Sequence, residues 1–356
     1  LDKLPGFLWP QAVSARLFGF HPWALALSQV IEGALSVLVL FRLVRRQAGA
    51  HAALVAAAAF ASTPAATGLF RSTVEDAPFT LFLLLAADAA FRASSTARQR
   101  PLIWSAVWVG LAFQAKMLEA WALGPVLAAL FLVVAPMTLR RRNRFPQLGL
   151  SPADTGSVNS VPSGPVAKRS VGGGAGTAAA TGDEGGWTKM VRAPLASQTG
   201  WLYPAAALTL GCGLVWLRRR PRSDPERAAL LLWGGWLTTF LAVFSAGTVA
   251  GHTYYMGVVA APLAALTGIG TAQCWRAHLA GGSRAWMLPT MIGGTAVWSA
   301  VVAGVWPRFW PGLGSAVLVL CSAGLILLAW SRPSGAGPGH RGGHRVALAG
   351  LLLGGG

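Results

Sequence analysis

The chain has 356 residues, of which 54% are hydrophobic and only 11% charged. A soluble domain carries about 25% charged residues, so this composition excludes an ordinary water-soluble globular protein. The mean hydropathy of +0.54 and the recurring apolar runs indicate a polytopic membrane protein. The net charge of +18 would suit a nucleic-acid binder by itself. The basic residues, however, sit in short loops between apolar runs, which is the positive-inside pattern. The expected partner is therefore the lipid bilayer, and no nucleic acid is expected.

In chain order, residues 4–20 mix Phe7, Trp9 and Phe18 with Gln11, Ser14 and Arg16, and carry Pro5 and Pro10. They read as an interfacial helix on the outer face, with a kinked, tilted span as the alternative. About 20 apolar helical residues cross a hydrocarbon core of about 30 Å. On that measure the spans fall near 22–44, 51–70, 77–91, 102–114, 118–137, 200–217, 228–247, 255–275, 285–306 and 313–330. The expected class is an all-α polytopic transmembrane helix bundle of about 10 spans. It divides into an N-terminal membrane region (1–144), a flexible Gly/Ser/Pro/Ala-rich linker (145–199) and C-terminal membrane helices with basic cytoplasmic loops (200–356).

Arginine clusters set the orientation. Arg42, Arg45 and Arg46 follow the first span, Arg140 to Arg144 the fifth, and Arg218 to Arg222 the sixth. These loops are assigned to the cytoplasm, and loops 71–76, 114–118, 248–254 and 307–312 to the outside. The fifth and sixth spans then both end inside, yet 145–199 holds no apolar run long enough to cross between them. A lost or replaced helix is the expected cause. Cys212, Cys274 and Cys321 stand singly in apolar runs, so neither a zinc site nor a disulfide framework is indicated. Gly172 to Gly176 lacks a following Gly-Lys-Ser/Thr and is no phosphate loop. His340 and His344 read as part of a basic tail, and Gly293-Gly294 as a helix-packing face.

Acidic residues are scarce enough to inspect singly. Glu32 lies within the first span, a functional candidate by position. Asp88 lies near an inner end, where snorkelling is easy. Asp154, Asp183, Glu184, Asp224 and Glu226 fall in loops on the linker or cytoplasmic side, and the remaining acids converge by topology. Asp2 and Lys3 precede the interfacial helix, Arg71, Glu75 and Asp76 fall in the first outer loop, Lys116 and Glu119 in the second, and His252, Tyr254 and Tyr255 in the third. Cations, carboxylates and a histidine on one membrane face suit an anionic lipid headgroup and acid/base chemistry. Carboxylate with histidine also suits a divalent metal.

The opening LDKLPGFLWPQAVSARLFGF, with LFRSTVEDAPFTLFLLLA (69–86), GLAFQAKM (110–117) and AGHTYYMGVVAAPLAALTGIG (250–270), resembles the polyprenol-phosphate-sugar-dependent protein O-mannosyltransferases (glycosyltransferase family 39). The bacterial aminoarabinose transferases are related to these. The resemblance covers about 1–140 and 200–275. It implies the C-type glycosyltransferase fold in the plasma (inner) membrane. It also implies transfer of a sugar, often mannose, from a polyprenyl-phosphate carrier to an unknown acceptor on the extracytoplasmic side. It gives Lys3 the lipid phosphate and sets Arg71, Lys116, His252, Tyr254 and Tyr255 on the carrier-binding face. Asp2 and His252 become the expected ligands of a divalent metal. Asp76 and Glu75 are the catalytic candidates here, although the family's usual base would precede Leu1.

The departures are Leu4 for a proline, Val74-Glu75-Asp76 for Asn-Pro-Asp, and Thr253 for the proline of His-Pro-Tyr-Tyr. They make a fragment or degenerate member one expectation. A non-catalytic, lipid-binding relic is the alternative function. A secondary transporter is a weaker one, because Glu32 is the sole acid near a midplane and no internal repeat is visible.

Overall fold

The computed structural model describes residues 4–96, 98–135, 188–192, 195–246, 255–306, 308 and 310–330, and these are helical with no strand. A 3₁₀ turn (Pro5–Leu8) leads into α1 (Trp9–Phe18), followed by α2 (Pro22–Ala48), α3 (Ala50–Ser62), α4 (Pro64–Leu69), α5 (Asp76–Thr96) and α6 (Gln99–Lys116). A second 3₁₀ stretch (Met117–Leu123) continues into α7 (Gly124–Val134). After α8 (Leu195–Thr199) come α9 (Tyr203–Trp216), α10 (Pro225–Ala246), α11 (Met256–Ala280), α12 (Met287–Gly304) and α13 (Leu313–Trp330).

Within the described residues the ten expected spans fall on helical segments, but not each of them is a membrane-length helix. Among the described residues, seven helical stretches are long and apolar enough to cross a membrane, with residues 99–134 forming one of them. That stretch holds two of the expected spans. α6 rises to Lys116, which pairs with Asp76 at the start of α5, and 117–134 returns to the opposite end, where Val134 and Arg227 line one groove. The expected span 51–70 is broken at Thr63–Pro64, because proline has no N–H to continue the ladder and its ring restricts the preceding residue. α1 is ten residues long, about 15 Å, too short to cross about 30 Å of hydrocarbon. The turn at Gly19, with φ +83°, needs the freedom of glycine and folds α1 back on α2, where Ser14 Oγ donates to the Ala24 carbonyl at 2.5 Å. The interfacial-helix reading holds over the kinked-span alternative, and Trp9, Val13 and Leu17 stand exposed for a lipid boundary.

α5 and α11 form the centre. Their most apolar windows are 83% buried, against 6% for α13 at the periphery. The helices approach through glycine and alanine, as expected where close backbone contact and not water exclusion drives association. A Cβ on Gly268 would stand 2.8 Å from Ala56 Cβ on α3, and one on Gly257 2.6 Å from Leu69 on α4. The packing role expected of Gly293-Gly294 fails. A Cβ on Gly294 would meet open space, and one on Gly293 would touch Leu325 only at 3.9 Å. Glycine alone does not make a packing face; an apposed backbone does.

The end of the bundle that carries the arginines is cross-linked. Asp88 is 4% exposed. Its Oδ1 accepts from Arg46 at the end of α2 at 2.6 Å, and its Oδ2 pairs with Arg92 at 3.0 Å. It is therefore clamped between helices and does not snorkel to water, because α2 and α5 end side by side and supply two guanidinium groups within reach. Nearby, Trp233 Nε1 donates to Gln47 Oε1 at 2.6 Å, tying α10 to α2 across 186 residues of chain. Trp233→Phe keeps the ring and strands the buried Gln47 oxygen. A loss of roughly 1 kcal/mol is expected on unfolding in detergent micelles, and an unchanged midpoint would show that this bond contributes nothing.

Most of the 145–199 linker, and with it the missing-crossing question, lies outside the described residues. Its last part is not linker. Lys189–Val191 and α8 are helical, Met190, Leu195 and Ala196 are buried, and Tyr203 Oη donates to the Met190 carbonyl at 3.1 Å. The packed C-terminal half therefore begins by Thr188.

Candidate functional site

Three chain segments bring ionisable groups together at the opposite end from the Asp88 clamp. Asp76 opens α5, a position where the helix N-terminus favours a carboxylate, and is fully buried. Lys116 closes α6 and ion-pairs with Asp76 Oδ1, its own side chain 5% exposed. One turn later Glu119 Oε2 lies 3.1 Å from the same ammonium. Glu75 is buried beside them and bears electrostatically on both Asp76 and Glu119.

Aromatic rings close the site. The Lys116 ammonium lies 3.7 Å from the centroid of the Tyr255 ring and 5.5 Å from that of Phe79. Tyr255 in turn stacks on Phe244, at the end of α10, at 5.7 Å. A desolvated cation over an aromatic face gains about 2 kcal/mol or more, so rings and carboxylates both hold Lys116 in place. The backbone bends sharply to present it. Met117 has φ 54° and ψ −133°, a conformation a side-chain-bearing residue avoids at a cost of about 1–3 kcal/mol. Such strain is typical of sites where position matters more than stability.

Acceptor capacity is left over: Asp76 Oδ2 is buried and has no hydrogen-bond partner among the described residues. The site therefore holds a fixed cation, a ring wall and spare carboxylate oxygen, a setting for an anionic, hydroxyl-bearing substrate.

The 3₁₀ turn before α1 docks at the same place. Gly6 packs so tightly on Gln114, two residues before Lys116, that a Cβ would come within 2.6 Å of the Gln114 carbonyl oxygen. Asp2 and Lys3, the residues just before this turn, lie outside the described residues, as do His252 and Tyr254. Arg71 is exposed on the turn that leads from α4 to Glu75 and makes no ion pair with a described residue. Of the sequence-expected groups, the structure thus unites Glu75, Asp76, Lys116 and Tyr255. Glu119, noted in the sequence only as an outer-loop acid, is a full member. Its spacing of three from Lys116 on a helical turn was the available signal.

Among the described residues no three His, Cys, Asp or Glu side chains converge as a metal site. Between Asp76 and Glu119 the Lys116 ammonium already stands where a cation would bind. The expected pair for a divalent metal, Asp2 and His252, is outside the described residues.

Glu32 belongs elsewhere. It is buried on α2, with Oε2 unpartnered among the described residues, and Gln29 one turn before it leaves both amide atoms unpartnered.

Residues 2–152 match the model of the dolichyl-phosphate-mannose-protein mannosyltransferase family. YycA and YkcB of Bacillus subtilis (strain 168), which carry provisional mannosyltransferase names, are 32% and 34% identical over 145 residues, or 40% of this chain. The chain spans about a fifth of their length, 21% and 20%. Crystal structures of ArnT from Cupriavidus metallidurans, bound to undecaprenyl phosphate and in the apo state, match at a TM-score of 0.50. They are 18% and 17% identical, with 92% of this chain and 66% of ArnT covered. Asp76, Lys116 and Glu119 all fall inside the family match, whereas Tyr255 comes from beyond it. Over residues 2–152 the chain is similar to the dolichyl-phosphate-mannose-protein mannosyltransferases, and its all-helical fold is similar to that of ArnT.

Proposed function

We propose that the chain is the membrane-embedded part of a glycosyltransferase that takes a sugar, mannose by family, from a polyprenyl-phosphate carrier. The observation that carries this reading is the buried Lys116, fixed by Asp76, Glu119 and the Tyr255 ring at one end of the bundle. The family match and the undecaprenyl phosphate bound to ArnT support it.

As the sugar–phosphate bond breaks, negative charge grows on the departing phosphate, and a pre-placed cation stabilises it without reorganisation. Lys116 has that role. Arg71, exposed on the turn before Glu75, adds a second cation to this face, and the family resemblance gives Lys3 to the lipid phosphate. Asp76 has one oxygen committed to Lys116 and no exposure, which suits positioning of the ammonium better than removal of an acceptor's proton. Glu75 remains the candidate base of this chain. A divalent metal, held by Asp2 and His252, would supply further charge at the phosphate. The arginine-rich end faces the cytoplasm of the plasma membrane, so the site opens on the extracytoplasmic side, where the acceptor is met.

The test is transfer of labelled mannose from polyprenyl-phosphate-mannose by membranes carrying this chain. The expected result is turnover by the wild type and a hundredfold or greater drop in Glu75→Gln, the size of effect typical of losing a general base. Full activity in Glu75→Gln would remove it as the base. Absence of turnover in the wild type, with the donor still bound, would favour the lipid-binding relic.

A further inference from the structure

At the arginine-rich end, α7, α9 and α10 enclose a groove of about 400 Å³. Val133 and Val134 of α7, Leu214 of α9 and Leu231 of α10 form its apolar walls, and Arg218, Arg222 and Arg227 stand at its rim. The groove lies far from the Lys116 site. α10 starts beside it at Arg227 and reaches the Lys116 site only at Phe244, through the Phe244–Tyr255 stack. Seventeen helical residues separate the two, about 25 Å.

The local carboxylates are already committed. Asp224 accepts from Arg220 Nη1 at 3.0 Å and from the Arg227 backbone N–H at 3.0 Å. Glu226 pairs with Arg276, and Arg220 lies 4.0 Å away from it. Arg227 spends one guanidinium N–H on the Arg220 carbonyl at 2.7 Å. Arg218 and Arg222 are exposed and have no ion pair with a described residue. A further cation, Arg284, packs over the Trp216 ring at 5.5 Å.

We infer that this groove binds one anionic glycerophospholipid of the leaflet that faces the arginine-rich loops. The headgroup phosphate bridges Arg218 and Arg222, and an acyl chain lies along Val133, Leu214 and Leu231. Charge complementarity selects an anion. The apolar wall continues to the lipid-facing surface at Leu214, which is 69% exposed, and this selects a lipid over a soluble phosphate. Guanidinium forks match phosphate oxygens in pairs, and basic pockets between helices on the cytoplasmic side are suited to anionic headgroups. The site is independent of the sugar-transfer reading and concerns the opposite membrane face.

The test reconstitutes the chain in nanodiscs of phosphatidylcholine with and without phosphatidylglycerol, and reads retained lipid by native mass spectrometry and the thermal midpoint. One retained phosphatidylglycerol and a raised midpoint are expected. With about 1 kcal/mol from each arginine near an anionic headgroup and about a tenfold change per 1.4 kcal/mol, the Arg218→Gln/Arg222→Gln variant should bind it roughly 30-fold more weakly. A second variant, Leu214→Trp, fills the groove and leaves the arginines in place, and it should lose the lipid as well. Equal retention by the double variant and the wild type would overturn the proposal. So would a midpoint rise of the same size with soluble glycerol 3-phosphate in pure phosphatidylcholine discs.

Discussion

Lys116→Met should abolish sugar transfer and destabilise the bundle by about 3 kcal/mol, the lower end of the cost of leaving a buried charge without its partner. The ammonium is the counter-ion of both Asp76 and Glu119 and the cation beneath Tyr255. Without it, at least one of the carboxylates must take up a proton or draw in water. The two consequences can be separated. Lys116→Met/Asp76→Leu removes both members of the buried pair, and replacing a buried ion pair with apolar groups is often neutral or stabilising. The double variant should therefore regain much of the lost stability and none of the activity. Unfolding in mixed micelles and donor turnover read the two separately. Recovery of turnover in the double variant would mean that Lys116 is structural only.

Gly268→Leu is the second large effect, and it comes from packing. The position faces Ala56 across the α3–α11 contact, and a Cβ would already sit 2.8 Å from the Ala56 Cβ and backbone nitrogen. At Gly268 α11 meets the Ala52 carbonyl and Ala56 of α3, both residues fully buried, so backbone and a methyl group stand where a side chain would have to go. Overpacking of a close helix contact costs about 1–3 kcal/mol and more where the backbone must move. A loss of about 3 kcal/mol is expected, together with lower turnover, because α11 begins next to Tyr255 and would carry that ring off Lys116. Gly294→Leu is the control. A Cβ there meets open space, and its unfolding midpoint should not fall, since leucine favours a helix interior over glycine. Equal effects at the two glycines would contradict the tight α3–α11 contact.

The spans, the interfacial helix and the arginine-rich end were legible in the sequence because each depends on local composition. An apolar run of sufficient length has one low-energy environment, and loop charge biases its orientation. Asp76 and Lys116 were placed on one face by loop topology and given roles by resemblance, and the structure shows why they belong together: α5 starts where α6 ends. The Asp88 clamp, the place of Glu119 and the difference between Gly268 and Gly294 were not legible. Each depends on which helix lies opposite, and hydropathy along the chain carries no record of that.

The sequence by itself determined that this is an all-helical membrane protein and which end of it is basic. It also contained the family pattern over residues 2–152. Only the tertiary structure decided that a lysine, two carboxylates and a tyrosine from 139 residues further along the chain share one buried site. The physical reason is that insertion into the bilayer is settled span by span, whereas partners for buried charges are settled by helix packing, where small residues fix which backbones can touch.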